Sequence, residues 1–280
     1  LVAASQKAGI NLFFGGYPIT PASEILHYLS NYKHFGVKTF QAEDEIAGIC
    51  SALGASFSGD LAVTASSGPG IALKGEAIGL GVITELPLVV INIQRGGPST
   101  GLPTKTEQSD LNQAMFGRNG ECPAVVIACQ SPSDCFETAF TACKIALEFM
   151  MPVILLSDGY IANGSEPWKL PELDSLSDIQ TKIVKDFNAE SFSPYKRDKK
   201  TLSRSWALPG QKGLEHRIGG LEKADVTGHV SYDPDNHHHM VKLRQKKIDI
   251  IADFIPEAKP YGNDKGDFLV LGWGGTYGAI

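Results

Sequence analysis

From residue 10 to about residue 160, short apolar runs alternate with longer stretches of helical period, and no other feature constrains the fold as tightly. The runs Ile10–Phe14, Val37–Gln41, Leu61–Thr64, Leu86–Ile93, Ala124–Cys129 and Pro152–Leu156 have strand length. Between them lie helix patterns over Pro21–Tyr32, Asp44–Ser58, Gly70–Gly79 and Pro132–Phe149. Strand then helix, repeated, predicts an α/β fold in which a parallel sheet is covered by helices on both faces. Ligands of such sheets gather at the carboxyl ends of the strands, so function is to be read in the loops that follow them.

Beyond Pro167 the pattern changes. Trp168 to about Asn236 is rich in Pro, Ser, Lys and Asp and reads as an extended connector crossing the surface, with a helix resuming over His237–Phe254. The division expected is a first α/β domain over 1–166, a connector over 167–266, and the start of a second α/β domain over 267–280, where Phe268–Leu271 reads as a strand. The chain opens inside a helix stopped by Gly9 and closes on a glycine loop with no helix after it, so it reads as a piece of a longer polypeptide.

Composition removes several function classes. The net charge of −6 argues against a surface that tracks nucleic-acid phosphates. The one basic cluster, Lys196–Lys200, reads as a solvated loop face. No apolar run is long enough to cross a bilayer. The five cysteines, Cys50, Cys122, Cys129, Cys135 and Cys143, form no CxxC pair and follow no signal-like segment, which predicts reduced thiols, a cytoplasmic location and no metal or iron–sulfur site held by this chain alone. His237, His238 and His239 are adjacent on a helix start and point in different directions.

Four segments carry candidate chemistry. After the first strand, Gly15 to Glu24 offers Thr20 as a helix N-cap and Pro21 at the first helical position; free amides and a hydroxyl at a helix start also suit a carboxylate or carbonyl. The acidic helix start Glu43-Asp44-Glu45 precedes a helix thinned by Gly48, Ala52, Gly54 and Ala55, which lets a carboxylate be held deep against a partner or cofactor. Thr64 to Gly70, with Ser66, Ser67 and Gly68, lets a flat ring approach the backbone, and it is not a phosphate loop because Lys74 stands alone. The long polar loop Asn92 to Asp110 begins with Arg95, whose fork of donors suits an organic carboxylate or a structural acid.

Together, Tyr17–Pro21, the Glu43–Ala47 helix start, Thr64–Gly70 and Arg95–Thr104 resemble the alpha subunit of 2-oxoacid:ferredoxin oxidoreductases, most closely the 2-oxoglutarate type; His216–Asp225 and Asp233–His237 resemble that family's inter-domain stretch. The resemblance implies a thiamine diphosphate enzyme with this chain supplying the pyrimidine-binding domain, and it makes residues 267–280 the start of a domain of the transketolase C-terminal kind. It implies a beta subunit that holds the diphosphate, Mg²⁺ and iron–sulfur clusters; here Ser157-Asp158-Gly159 lacks the leading glycine of that subunit's motif. It implies ferredoxin as electron acceptor, a 2-oxoacid and CoA as substrates, and a hetero-oligomer. A carboxyl group hydrogen-bonded to the pyrimidine is the catalytic group. Matching Ala52–Ser56 to the family's helix brings Glu45 to that position, whereas counting back from Thr64 in some relatives favours Glu43; we take Glu45. The same carry-over makes Glu45, Ser66, Ser67 and Gly68 cofactor-binding, and Thr20, Arg95, Ser99 and Thr100 substrate-binding. Lys105 in the same loop is available to a dicarboxylic 2-oxoacid, while a pyruvate-like or branched-chain substrate stays open. A nicotinamide dehydrogenase is disfavoured because no GxGxxG follows the first strand. A non-catalytic scaffold that keeps the fold is the remaining alternative.

Overall fold

The computed structural model describes residues 1–185, 192–263 and 265–280; parts of the expected connector, 186–191 and 264, lie outside the described residues. Among the described residues one six-stranded sheet has the order β2-β1-β3-β4-β6-β5, and every pairing in it is parallel. Its strands are β1 (Leu12–Gly16), β2 (Val37–Gln41), β3 (Leu61–Ser66), β4 (Leu88–Gln94), β5 (Val125–Ala128) and β6 (Pro152–Asp158). The central strands β3, β4 and β6 are buried along their whole length, as a sheet covered on both faces requires. One face packs on α1 (Val2–Ala8), α2 (Ser23–Leu29) and α7 (Asp134–Phe149), the other on α3 (Glu45–Phe57), α4 (Gly68–Leu73), α5 (Gly75–Thr84) and α6 (Leu111–Phe116).

Local chemistry sets the boundaries. Asp44 lies in extended conformation and its carboxylate accepts from the Ala47 amide at 2.7 Å, so α3 starts at Glu45. The buried small residues Gly48, Ala52 and Ala55 face the sheet and let α3 lie close on β1: a Cβ at Gly48 would stand 3.3 Å from the Gly16 Cα, and one at Gly15 would stand 2.4 Å from the Gly48 carbonyl oxygen. Gly15 has no room for a side chain, and a Cβ on Gly48 would be tightly packed.

Some expectations are corrected. Thr20 caps nothing: α2 starts at Ser23 with Ala22 at the N-cap, because the Ala22 and Ser23 amides turn back to the Ile19 carbonyl. The helix expected over Gly70–Gly79 is two helices, α4 and α5, broken at Lys74, whose side chain is wholly buried. Phe268–Leu271 pairs with no strand, and its side chains are exposed.

The connector does more than cross the surface. Trp206 and Tyr195 are wholly buried and Arg204 nearly so. Trp206 and Ile179 join the principal core, and the Trp206 indole N–H donates to the Ser56 carbonyl at 3.1 Å. Nor is the basic cluster wholly solvated: Arg197 bridges Glu85 and Asp225. Helix α9 (Pro234–Ile251), started by Asp233 with its carboxylate on the Asn236 amide at 2.7 Å, sends Lys247 to the same Glu85 at 2.5 Å. Of the three histidines, His237 pairs with Glu222 at 2.8 Å and His239 with Asp225 at 2.9 Å.

Glu85 is therefore the anchor of the connector. Burial alone would raise its pKa, but Lys247 and Arg197 outweigh that and bring it down to about 2 from an ordinary 4.5. A carboxylate with a depressed folded pKa stabilises fully above its unfolded value and loses that contribution as pH falls through the folded one. The thermal midpoint is expected to fall as pH is lowered from 5 towards 2. Glu85→Ala, which strands buried Arg197 and Lys247, is expected to cost about 3–5 kcal/mol in denaturant unfolding and to flatten that acid limb.

Candidate functional site

The carboxyl ends of β1, β2, β3 and β4 place the expected residues along one edge of the sheet. Glu45 begins α3 just after β2, half-buried, while Glu43 lies exposed ahead of the cap. The carboxylate of Glu45 lies over Gly70: a Cβ there would meet the Ser66 Oγ at 2.0 Å, the Glu45 Cγ at 2.9 Å and the Glu45 Oε1 at 3.1 Å. Glu45 and Ser66 thus fill the space beside Gly70 and leave no room there for a side chain. Geometry favours Glu45 over Glu43 as the carboxylate that faces the β3 loop.

Beneath this space the ends of β3 and β4 carry an unusual set of buried polar groups. Thr64, Ser66, Ser67, Lys74 and Asn92 are wholly buried, and Gln94 is nearly so. The amide of Asn92 donates to Asp110 at 2.9 Å, and Asp110 in turn donates its backbone N–H to Gln94 Oε1 at 3.1 Å. Gln94 donates to the Ser157 carbonyl at 3.0 Å. Buried polar groups in proteins are nearly always paired. Here the Ser66 and Ser67 hydroxyls, the Asn92 Oδ1 and the Arg95 Nε have no partner. Such unsatisfied atoms among the described residues are groups that a polar ligand would complete.

Thr20 and Arg95 meet at the same edge on the α2 side, but not as two groups turned towards one ligand. Buried Arg95 donates to the Thr20 backbone carbonyl, so part of its fork holds the β1–α2 loop in place. Ser99 and Thr100 lie in an exposed turn, with Ser99 at φ 53°, and the structure does not bring them to Glu45. Lys105 is exposed as well. Beside the turn, Thr20, Pro21, Thr104, Thr106, Gly159 and Tyr160 line an open cleft of about 590 Å³, within the roughly 300–1,000 Å³ of small-molecule sites.

Ser157-Asp158-Gly159 has a structural task. Asp158 accepts from the Tyr160 and Ile161 amides at 2.7 and 3.1 Å, capping the short helix α8 (Gly159–Asn163), and from Gln108 at 3.0 Å. Among the described residues no group of three or more His, Cys, Asp or Glu side chains could hold a metal ion, and no helix is long and apolar enough to cross a membrane.

Sequence reasoning passed over Lys74. Its ammonium donates to the Glu45 carbonyl at 2.8 Å and to the Thr64 hydroxyl at 3.1 Å. Burial lowers its pKa to about 8, against the opposing pull of Glu45. The signal available was a lysine at the centre of an apolar helical stretch, Ile71 to Leu80.

Residues 4–232 match the family model described as pyruvate flavodoxin/ferredoxin oxidoreductase, thiamine diphosphate-binding. The chain belongs to this family. It is 59% identical over 283 residues to the 2-oxoglutarate oxidoreductase subunit KorA of Mycobacterium tuberculosis, covering 100% of this chain and 42% of that protein. It is 36% identical to the 2-oxoglutarate synthase subunit KorA of Archaeoglobus fulgidus, covering 99% and 71% of the two chains. The solved 2-oxoglutarate:ferredoxin oxidoreductase of Magnetococcus marinus, with 2-oxoglutarate, coenzyme A and succinyl-CoA bound, superposes with a TM-score of 0.86 at 36% identity over 99% of this chain and 48% of that one. The chain thus spans less than half the length of two of these three relatives.

The unsatisfied Ser66 and Ser67 hydroxyls beside Glu45 offer hydrogen-bonding groups to a polar ligand. Gly70→Ala drives a methyl group against the Ser66 hydroxyl and Glu45. With circular dichroism unchanged, the variant in its assembled complex is expected to bind thiamine diphosphate about tenfold or more weakly in a calorimetric titration, a loss of roughly 1.4 kcal/mol or more.

Proposed function

We propose that this chain is the pyrimidine-binding part of the alpha subunit of a 2-oxoglutarate:ferredoxin oxidoreductase, and that its Glu45 is the catalytic carboxylate. The observation that carries the proposal is the placement of Glu45 over Gly70, next to the unpartnered Ser66 hydroxyl. The names of its relatives support the substrate class.

Bound thiamine diphosphate would supply a nucleophilic carbon and an electron sink for loss of CO₂ from a 2-oxoacid. This chain's residues have four tasks. Glu45 holds, at its carboxylate, a proton shared with a ring nitrogen, a general acid–base role. Ser66, Ser67 and the Gly68 backbone line the ring's position at the end of β3. Arg95 has an unpaired Nε and takes a substrate carboxylate, while its bond to the Thr20 carbonyl keeps the β1–α2 loop in register. The Thr20 hydroxyl, at the rim of the 590 Å³ cleft, takes the substrate's 2-oxo or carboxylate oxygens.

The rest of the reaction belongs to partners. We infer a beta subunit that holds the diphosphate end, Mg²⁺ and iron–sulfur clusters; the naming of the relatives as subunits supports further chains in the assembly. In the overall reaction a 2-oxoacid and CoA would become acyl-CoA and CO₂, and the two electrons released would be taken by ferredoxin by way of the partner's clusters. Ser99 and Thr100, in the exposed turn, reach substrate only if the loop folds inward on assembly. No observation favours the non-catalytic scaffold.

The test is turnover of the assembled complex on a panel of 2-oxoacids. 2-Oxoglutarate is expected to have the highest kcat/KM; a preference for pyruvate or a branched-chain 2-oxoacid would overturn the substrate assignment. Glu45→Gln is expected to abolish decarboxylation, and full activity in that variant would remove Glu45 from the mechanism. Arg95→Ala is expected to raise KM for the 2-oxoacid about tenfold or more, with cofactor affinity retained; loss of cofactor affinity instead would take Arg95 out of the substrate site.

A further inference from the structure

Lys74 is a buried cation that nothing in the reading above uses. It sits at the break between α4 and α5 with no exposed surface, reaching across to the first residue of α3 and to β3. Charge burial of this kind is costly, and a methionine would fill the same volume with no charge to desolvate. We propose that Lys74 is a positioning residue for Glu45: its ammonium, bridging the Glu45 carbonyl and the Thr64 hydroxyl, fixes the first turn of α3 and keeps a positive charge under the catalytic carboxylate.

Two features of the geometry support this. The lysine grips the backbone of the very residue whose side chain lies over Gly70, so the carboxylate's direction follows from the amine's position. All the charged or titratable groups that bear on the amine come from α3: Glu45 and Asp44 at its head and Cys50 one turn on, while β3 presents only the neutral Thr64. Glu76, on the amine's own segment, bears instead on Cys50. The charges that act on the ammonium therefore come from the element that carries the catalytic group, while Thr64 on β3 supplies a neutral second partner.

The proposal rests on the role given to Glu45, and its test separates the two. Lys74→Met is compared with wild type and with Glu45→Gln in the assembled complex. The folded pKa of Lys74 is depressed below its ordinary 10.5 to about 8, so below pH 8 both folded and unfolded chains carry the proton and the full burial cost is present. Between pH 8 and 10.5 the unfolded chain binds more protons, and wild-type stability rises with pH. Lys74→Met is thus expected to melt at or a few degrees above the wild-type temperature at pH 7, with the gap closing as pH approaches 10. Its kcat is expected to fall about tenfold or more; the wild-type rate is expected to decline as pH rises through about 8, where Lys74 loses its proton, and the variant to show no such decline. Wild-type turnover with an unchanged pH profile overturns the proposal. So does a lower melting temperature with activity lost only in proportion to the unfolded fraction, which would make Lys74 a structural residue. If Glu45→Gln turns over normally, the role of Glu45 fails; if it is inactive while Lys74→Met is normal, only the assignment of Lys74 fails.

Discussion

The contact between β1 and α3 is the constraint on which the site depends. Gly15 and Gly16 lie against Gly48, a Cβ on Gly15 meeting the Gly48 carbonyl oxygen at 2.4 Å and one on Gly48 standing a tight 3.3 Å from the Gly16 Cα, so the helix lies against the strand almost backbone to backbone. That closeness decides how near the head of α3 comes to the end of β3. With a side chain at either glycine the helix would be lifted away, and the carboxylate of Glu45 would no longer lie over Gly70. The cost of glycine in a helix and a strand, about 0.5–1 kcal/mol each relative to alanine, is offset by this approach.

A second arrangement lies at the opposite end of the strands. Glu85, at the turn before β4, gathers Arg197 from the connector and Lys247 from α9, while Arg204 donates to the carbonyls around it at 3.1 and 3.2 Å. Tyr195 lies among three cations, its ring 5.9 Å from Arg197, 5.2 Å from Arg204 and 5.4 Å from Lys223. Near the ends of β3 and β4 the Ser66 and Ser67 hydroxyls and the Asn92 Oδ1 are unpaired among the described residues, while around Glu85 the charges pair and the Tyr195 hydroxyl and Arg197 Nε stay without a partner.

Much of this was legible before the structure. Alternation of apolar runs with helical period gave the element order and the parallel sheet, and the caps Asp44 and Asp233 are used where a short acidic side chain precedes a helix. Glu45, Ser66 and Gly70 come together as the loops after β2 and β3 implied. Long-range charge was not legible. Lys196–Lys200 looked like a solvated face because Arg197 finds its buried partner 112 residues earlier in the chain, a separation local pattern does not carry. Lys74 was missed for the same reason: its partners are 10 and 29 residues away, on other elements. Thr20 resembled an N-cap by residue type, but the backbone turns back to Ile19 and the helix begins later. Ser99 and Thr100 were placed by motif, and motif order does not say which way a loop faces.

The fastening around Glu85 also dictates an order of events in a growing chain. The bond between Trp206 and Ser56 closes a separation of 150 residues and the one between Lys247 and Glu85 a separation of 162. Domains form from their N-terminal segments first as a chain is synthesised, and non-local contacts wait for both partners. All six strands can pair once residue 158 has emerged. Until Arg197 and Trp206 follow, Glu85 and the cavity that Trp206 fills stay open to water. A nascent chain therefore passes through a stage with its sheet formed and a carboxylate and an apolar gap still exposed, and helix α9, bringing Lys247, is the last element to close on Glu85.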